Sequence, residues 1–222
     1  NKPLRYPNGQ MPLQTSQKQS AARRGMTLEH DLNQSNQYYL DHDLAVIYKK
    51  PTPIQVVKVD YAARNKTKII EAYYQTPSTI DYSGVYKGYH LDFEAKETHS
   101  KTSFPFRSIH PHQIDYIEKV LKHGAISFVI IRFVFYDKTY LVEGDKMVNV
   151  YRQRERSSIP YSWFEENAYL VPSSFYPSLD YLKIVDLILP KEVNQCKASA
   201  FNLNLQKLNK LNNSLFSKLN LE

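Results

Sequence analysis

His90-Leu-Asp-Phe-Glu-Ala-Lys96 is the stretch whose reading decides the fold. Successive side chains of a strand point to opposite faces, so Leu91, Phe93 and Ala95 line one face while Asp92, Glu94 and Lys96 share the other. Two acids and a lysine on one face can be a reactive constellation. Glu94-Ala-Lys96 taken alone is equally the pattern of a solvated strand face, so the neighbouring sequence has to decide.

Immediately upstream, Gly84-Val-Tyr86 reads as a strand that returns into this one through Lys87-Gly88, a short hairpin. Asp81 stands at the start of that hairpin, where pairing brings it beside Glu94. Two carboxylates held together repel unless a cation joins them. An oxygen donor set without sulfur or clustered imidazole selects Mg²⁺, with Mn²⁺ as its substitute. Lys96 would then neutralise charge developing on a phosphate and favour ionisation of the attacking water. Asp92 faces the same way and is a candidate support for the direct ligands.

Downstream, Pro111 is suited to a first helical position, and the spacing of Ile114, Ile117, Val120 and Leu121 predicts a helix ending near His123, before Gly124. The nearly unbroken apolar run from Ala125 to Phe133 predicts a strand covered on both faces, paired with Thr139 to Val142. Helices are expected from Gly144 to about Arg154, Trp163 to Asn167 and Leu179 to Leu189, with Pro172 and Pro177 bracketing a loop. Before the hairpin, Thr27 caps an expected helix to about Asp41 with Glu29 and Asp31 in its first turn, and Leu44 to Tyr48 follows as a strand. The fold class is therefore α/β, a mixed central sheet flanked by helices.

Ile54 to Val59 and Lys68 to Tyr74 form two further extended runs around a turn bearing Arg64 and Lys66, which predicts a protruding basic β-hairpin spanning about residues 49 to 74. Lys49, Lys50, Arg64, Lys66 and Lys68 would meet phosphate there, and Tyr48, Tyr61, Tyr73 and Tyr74 could stack on unpaired bases. Residues 1 to 25 carry five cations and no acid without apolar periodicity, the pattern of a disordered basic arm. Residues 26 to 190 hold the expected domain. Residues 191 to 222 are an Asn- and Lys-rich tail in which Leu208, Leu211, Leu215 and Leu219 trace a weak helical stripe.

The net charge of +7 predicts attraction to polyanions. A lone Cys196 forms no internal disulfide, and no CxxC or Cys/His cluster offers a zinc site. No apolar run approaches the roughly 18 residues of a membrane span. A cytoplasmic protein that associates with the nucleoid, and not with a membrane, is expected.

The pattern of Pro77, Asp81 and Glu94-Ala-Lys96 across a hairpin resembles the signature of the PD-(D/E)xK nucleases, which implies a restriction-endonuclease-like core. Arg24-Gly-Met, Tyr48-Lys-Lys-Pro-Thr-Pro-Ile, Tyr74-Gln-Thr-Pro-Ser-Thr-Ile-Asp-Tyr82, Asp92-Phe-Glu-Ala-Lys-Glu-Thr98, Lys101-Thr-Ser-Phe-Pro105 and His110-Pro-His-Gln113 together resemble the RecU family of Holliday junction resolvases. The resemblance runs from about residue 23 to Pro190. It implies that Thr79, Asp81, Glu94 and Gln113 surround a magnesium ion, that Asp81, Glu94 and Lys96 are catalytic, and that the proline-flanked hairpin is a stalk entering a four-way junction.

It further implies a homodimer that makes paired nicks in recombination and repair. Contacts with the recombinase RecA and the motor RuvB, and a DNA-facing place for Arg24, are implied in the same way. Glu29, on the first helix, is a further candidate near the metal, and His110 and His112 are expected to cap the helix or face DNA. Two other readings share these residues: a junction-binding protein that modulates the recombinase without essential cleavage, and a restriction or repair nuclease acting on ordinary duplex.

Overall fold

The computed structural model describes residues 27–60, 67–74 and 79–190. The basic arm with Arg24, the turn residues Tyr61, Arg64 and Lys66, Pro77 and the tail beyond Pro190 lie outside the described residues.

The first helix, α1 (Leu28–Asp41), begins where Thr27 leaves extended geometry and its side chain accepts from His30 N–H at 3.2 Å, a conventional N-cap. Its chain then closes through Asp43 in the left-handed region, and the Leu44 N–H returns to the Tyr39 carbonyl at 2.8 Å. That reversal consumes Leu44 and Ala45, so β1 (Val46–Lys49) starts two residues later than the apolar pattern suggests.

After the ribbon strands β2 (Ile54–Asp60) and β3 (Lys68–Tyr74) come β4 (Tyr82–Tyr86) and β5 (Tyr89–Thr98). They are joined by Lys87 and Gly88, both at positive φ, the two-residue turn whose twist suits a tight hairpin. There follow β6 (Ser103–Pro105), α2 (Pro111–Lys122), β7 (Ile126–Phe133), β8 (Lys138–Glu143), α3 (Gly144–Arg152), β9 (Ser158–Pro160), α4 (Tyr161–Asn167), β10 (Tyr169–Leu170) and α5 (Leu182–Ile188).

Six strands form one sheet in the order β1-β4-β5-β7-β8-β10. β5 and β7 are parallel and the other pairs antiparallel, so the sheet is mixed, as expected. The parallel pair is the centre of this sheet, and β7 is buried on both faces from Ser127 onward, which is why it reads as an apolar run.

On one face Val129, Ile131 and Phe133 pack with Ile114 and Ile117 of α2 and Met147 of α3. On the other, the rings of Tyr82, Phe93 and Phe128 stack in series with centroids 4.7 Å apart at each step, and Tyr181 leans against Phe93. Leu28, Leu32 and Tyr39 of α1 are buried as their spacing predicts. Asp31, also on α1, is buried with them and bonds Arg132 Nη2 of β7 at 2.5 Å, while Arg132 Nε donates to Thr139 at 3.2 Å.

Gly84 faces β1 at a distance that admits no side chain, because a Cβ there would stand 2.2 Å from the Val46 carbonyl oxygen. Three features lack any signal in the sequence. β6 and β9 pair as a separate two-stranded sheet, β10 adds an edge, and α5 begins at Leu182 because Leu179 is held in an isolated bridge with Ser173. The strands β6, β9 and β10 are two or three residues long, too short for periodicity to declare, and the bridge at Leu179 depends on a partner outside the helix.

β2 and β3 pair antiparallel as a ribbon with an irregularity around Val57 and Lys58. Nearly all of their residues are exposed, including Val57, Ile70, Tyr73 and Tyr74. On these strands Lys58 and Lys68 are offset by Asp60 and Glu71, so the excess of cations over residues 49 to 74 rests on Lys49, Lys50, Arg64 and Lys66. Among the described residues no helix is long and apolar enough to cross a membrane. Contacts divide the chain after Val185; of the second unit the structure describes only residues 186–190, the last turn of α5 and its exit.

Candidate active site

Pairing of Tyr82 with Phe93 sets the register that brings Asp81 opposite Glu94. The Asp81 N–H donates to Glu94 Oε2 at 3.3 Å, and Lys96 Nζ stands 2.7 Å from Glu94 Oε1. Asp81, Glu94 and Lys96 therefore converge as the strand alternation requires. Glu94 is fully buried, and burial, reinforced by Asp81, pushes its carboxyl up to about 8 despite the Lys96 ammonium.

A cleft of about 270 Å³ opens over this strand, lined by Asp81, Lys96 and Glu97 together with Thr27, Glu29 and Lys49. The first turn of α1 is seated on the cleft because Glu97 Oε1 accepts from the Leu28 N–H at 2.7 Å. That anchorage points Glu29 across the mouth, where it pairs with Lys49 at 2.6 Å.

Asp92 occupies the same face as Glu94, and it is not exposed. Its Oδ1 meets Lys50 Nζ at 3.0 Å, while its Oδ2 accepts from Tyr116 at 2.8 Å and lies 3.1 Å from His90 Nε2. Burial alone would raise the Asp92 carboxyl, but hydrogen bonds from Tyr116, Lys50, His90 and Ser83 together outweigh it and hold the group below its ordinary value. The Lys50 ammonium also lies over the Tyr116 ring, 5.2 Å from its centroid. Lys49 and Lys50, expected to face phosphate, are thus each engaged by an acid beside the cleft. Tyr116 carries no sequence signal for this place, because it reaches Asp92 only through packing of α2, whereas His90 stands two residues before Asp92 on the same face of β5.

Two adjoining carboxylates, one of them driven toward its protonated form by desolvation and by the other, make a donor set that a hard divalent cation would relieve. Among the described residues no three His, Cys, Asp or Glu side chains cluster to form an all-protein cage. A pair of carboxylates completed by neutral oxygens and water fits Mg²⁺, which retains part of its hydration shell.

The family model for recombination protein U, RecU, matches residues 23–187. The chain belongs to the RecU family.

Relatives within it include Holliday junction resolvases RecU from Bacillus cereus strain B4264 and Bacillus cytotoxicus, each 44% identical over 195 residues that cover 83% of this chain and 98% of the relative. The Holliday junction resolvase RecU of Bacillus anthracis strain CDC 684 is 43% identical over the same coverage.

The remaining residues singled out by resemblance to RecU occupy varied places. Thr79 is half-buried and leads through the fully buried Ile80 to Asp81. Gln113 is buried in the first turn of α2, where its Oε1 accepts from the N–H of His110 at the N-cap, 3.0 Å away. That oxygen has a second lone pair, so capping does not exhaust it. His110 and His112 stack on one another at 5.5 Å at the start of the same helix. Lys68 lies on the exposed ribbon, and Arg24, Arg64 and Lys66 lie outside the described residues.

Proposed function

We propose that this RecU chain is an endodeoxyribonuclease that resolves Holliday junctions, the activity its relatives' names carry. The observation that supports it is the meeting of Asp81 and Lys96 on the buried Glu94 carboxyl at the wall of one open cleft, which Asp81 and Lys96 line. Asp81 and Glu94, with Thr79 and Gln113, would hold Mg²⁺ or Mn²⁺. When bound, the cation supplies Lewis-acid charge for the scissile phosphate and makes water a better nucleophile.

The chain's own residues do the rest. Glu94 would hold the cation as an ionised carboxylate, its proton passing to solvent, and Lys96, beside it, would present its ammonium to charge that grows on the phosphate oxygens during attack. Cleavage leaves a 5′-phosphate and a 3′-hydroxyl. Glu29 and Lys49 face each other at the entrance, where an arriving phosphate competes with Glu29 for the ammonium. A symmetric homodimer would set one such site on each of two opposed strands of a four-way junction, so two matched nicks follow from two-fold symmetry. The ribbon of β2 and β3 would enter the junction between them. Action on chromosomal DNA would place the protein with the nucleoid, and RecA and RuvB are partners to be tested by direct binding.

The test is a panel of labelled junction, fork and plain duplex incubated with Mg²⁺. Symmetric nicking of the junction alone is expected. Equal cutting of all three would assign the site to an ordinary duplex nuclease, and junction binding with no cutting, unaltered by Asp81→Ala or Glu94→Ala, would assign it to a recombination modulator.

A further inference from the structure

The sequence places Lys50 among the residues that touch DNA phosphate, but its surroundings are those of a strut. Its backbone N–H donates to the Asp81 carbonyl at 2.7 Å, one step beyond the β1–β4 ladder. Its side chain turns inward to the buried Asp92 carboxylate at 3.0 Å and covers the Tyr116 ring. Pro51 follows directly, and Thr52 and Pro53 then lead into β2 of the ribbon. One residue thus holds the backbone of Asp81, ties β1 to β5 and α2, and forms the root of the ribbon.

Asp92 is the fixed end of this strut. It is fully buried and stands on β5 two residues before Glu94, on the same face. Tyr116 and His90 take its second oxygen, so the carboxylate has no freedom to follow Lys50 elsewhere. A lysine committed to a desolvated acid and an aromatic ring gains little by moving to a phosphate in water, because breaking a buried pair strands the remaining charge. Lys49 differs, since both it and Glu29 are substantially exposed and can part at modest cost.

We infer that Lys50, clamped by Asp92 and Tyr116, is a positioning residue that holds Asp81 against Glu94 and transmits the seating of the β2–β3 ribbon to the site, and is not a phosphate ligand. The inference rests on the assignment of Asp81 and Glu94 as the metal-holding pair. It gives a route by which engagement of DNA by the ribbon would reach the cleft, since both are attached to the same residue. Asp92 acquires a defined task, which its place beside Glu94 in the sequence does not reveal.

The experiment compares wild type with Lys50→Met, Lys50→Arg, Asp92→Asn and the double variant Lys50→Met/Asp92→Asn, after circular dichroism has established that each is folded. Single-turnover cleavage of a labelled junction in Mg²⁺ is measured beside junction affinity in Ca²⁺ at several salt concentrations. The strut predicts a roughly tenfold fall in the cleavage rate for Lys50→Met with affinity within twofold and an unchanged salt slope. The double variant should lose no more than the worse single variant, since both changes break one link, and Lys50→Arg should recover most of the rate. Weakened affinity with a salt slope reduced by about one and a preserved rate would make Lys50 a phosphate ligand and overturn the inference. So would an unaltered rate.

A second readout needs no cleavage. Mg²⁺ should raise the melting temperature of wild type more than that of Lys50→Met, because the cation meets a misplaced Asp81 in the variant. Equal Mg²⁺ shifts overturn the strut. A wild-type protein that shows the larger Mg²⁺ shift but cuts no junction would instead remove the resolvase reading and leave the strut standing.

Discussion

Replacing Glu94 by Gln tests the central electrostatic claim without requiring any DNA. In the metal-free protein the Glu94 carboxyl rises from its ordinary 4.5 to about 8, first through burial and then through Asp81. Across that window the native state holds a proton that the unfolded chain has already released. The number bound is therefore larger in the folded state, and stability falls as pH rises from about 5 to about 8. Each tenfold change in proton affinity is worth about 1.4 kcal/mol, so the cost of the ionised carboxylate at pH 8 reaches at most about 5 kcal/mol.

Gln has the same shape and no charge to desolvate. Metal-free Glu94→Gln should melt above wild type at pH 8 by up to about 10–20 °C, using about 2–4 °C per kcal/mol for a chain of this size. The gap should close toward pH 5, where wild type is protonated, and saturating Mg²⁺ should narrow it at pH 8 by stabilising wild type alone. Differential scanning calorimetry of the two proteins from pH 5 to 8, with and without Mg²⁺, gives the answer. Other titrating groups are common to both and cancel in the difference. Parallel melting profiles across that range would refute the claim that Glu94 is held protonated at the core of the site.

Three further outcomes follow from named contacts. Lys96→Ala should lower junction cleavage by about 100-fold or more while junction affinity stays near wild type, as measured by single-turnover kinetics and gel shift; a loss confined to affinity would deny the lysine its role in the transition state. Arg132→Met should destabilise the fold by about 3–5 kcal/mol in urea titration because it strands the buried Asp31, whereas Arg132→Met with Asp31→Leu should recover most of the loss. Gly84→Ala should cost about 1–3 kcal/mol in the same titration, since the added Cβ meets main-chain atoms of Val46 and Ile47 and not a side chain that can swing aside.

Much of the architecture is legible before folding. The cap at Thr27, the proline that opens α2, the Lys87-Gly88 turn and the apolar run of β7 each have a local cause, and each element is found within two or three residues of its expected place. Where boundaries differ, long-range pairing is responsible. β4 begins at Tyr82 and not Gly84 because β1 extends the ladder to Lys49, and the start of α5 yields to the bridge at Leu179. Polar burial on α1 has no local cause: Asp31, Ser35 and Asn36 are buried because each finds a partner across the core in Arg132, Leu179 N–H or Tyr181.

The sequence by itself determined that Asp92, Glu94 and Lys96 share a face and that a hairpin returns Asp81 beside them, because strand periodicity and turn chemistry act over a few residues. It could not distinguish one charged residue from the next in its company. Lys49 and Lys50 are adjacent, but one meets Glu29 at the open mouth and the other meets Asp92, 42 positions away, under the Tyr116 ring. Only the tertiary structure decides this, since the burial of an ion depends on which distant strand and helix close over it, and that burial determines whether a lysine is available to DNA or committed to the protein.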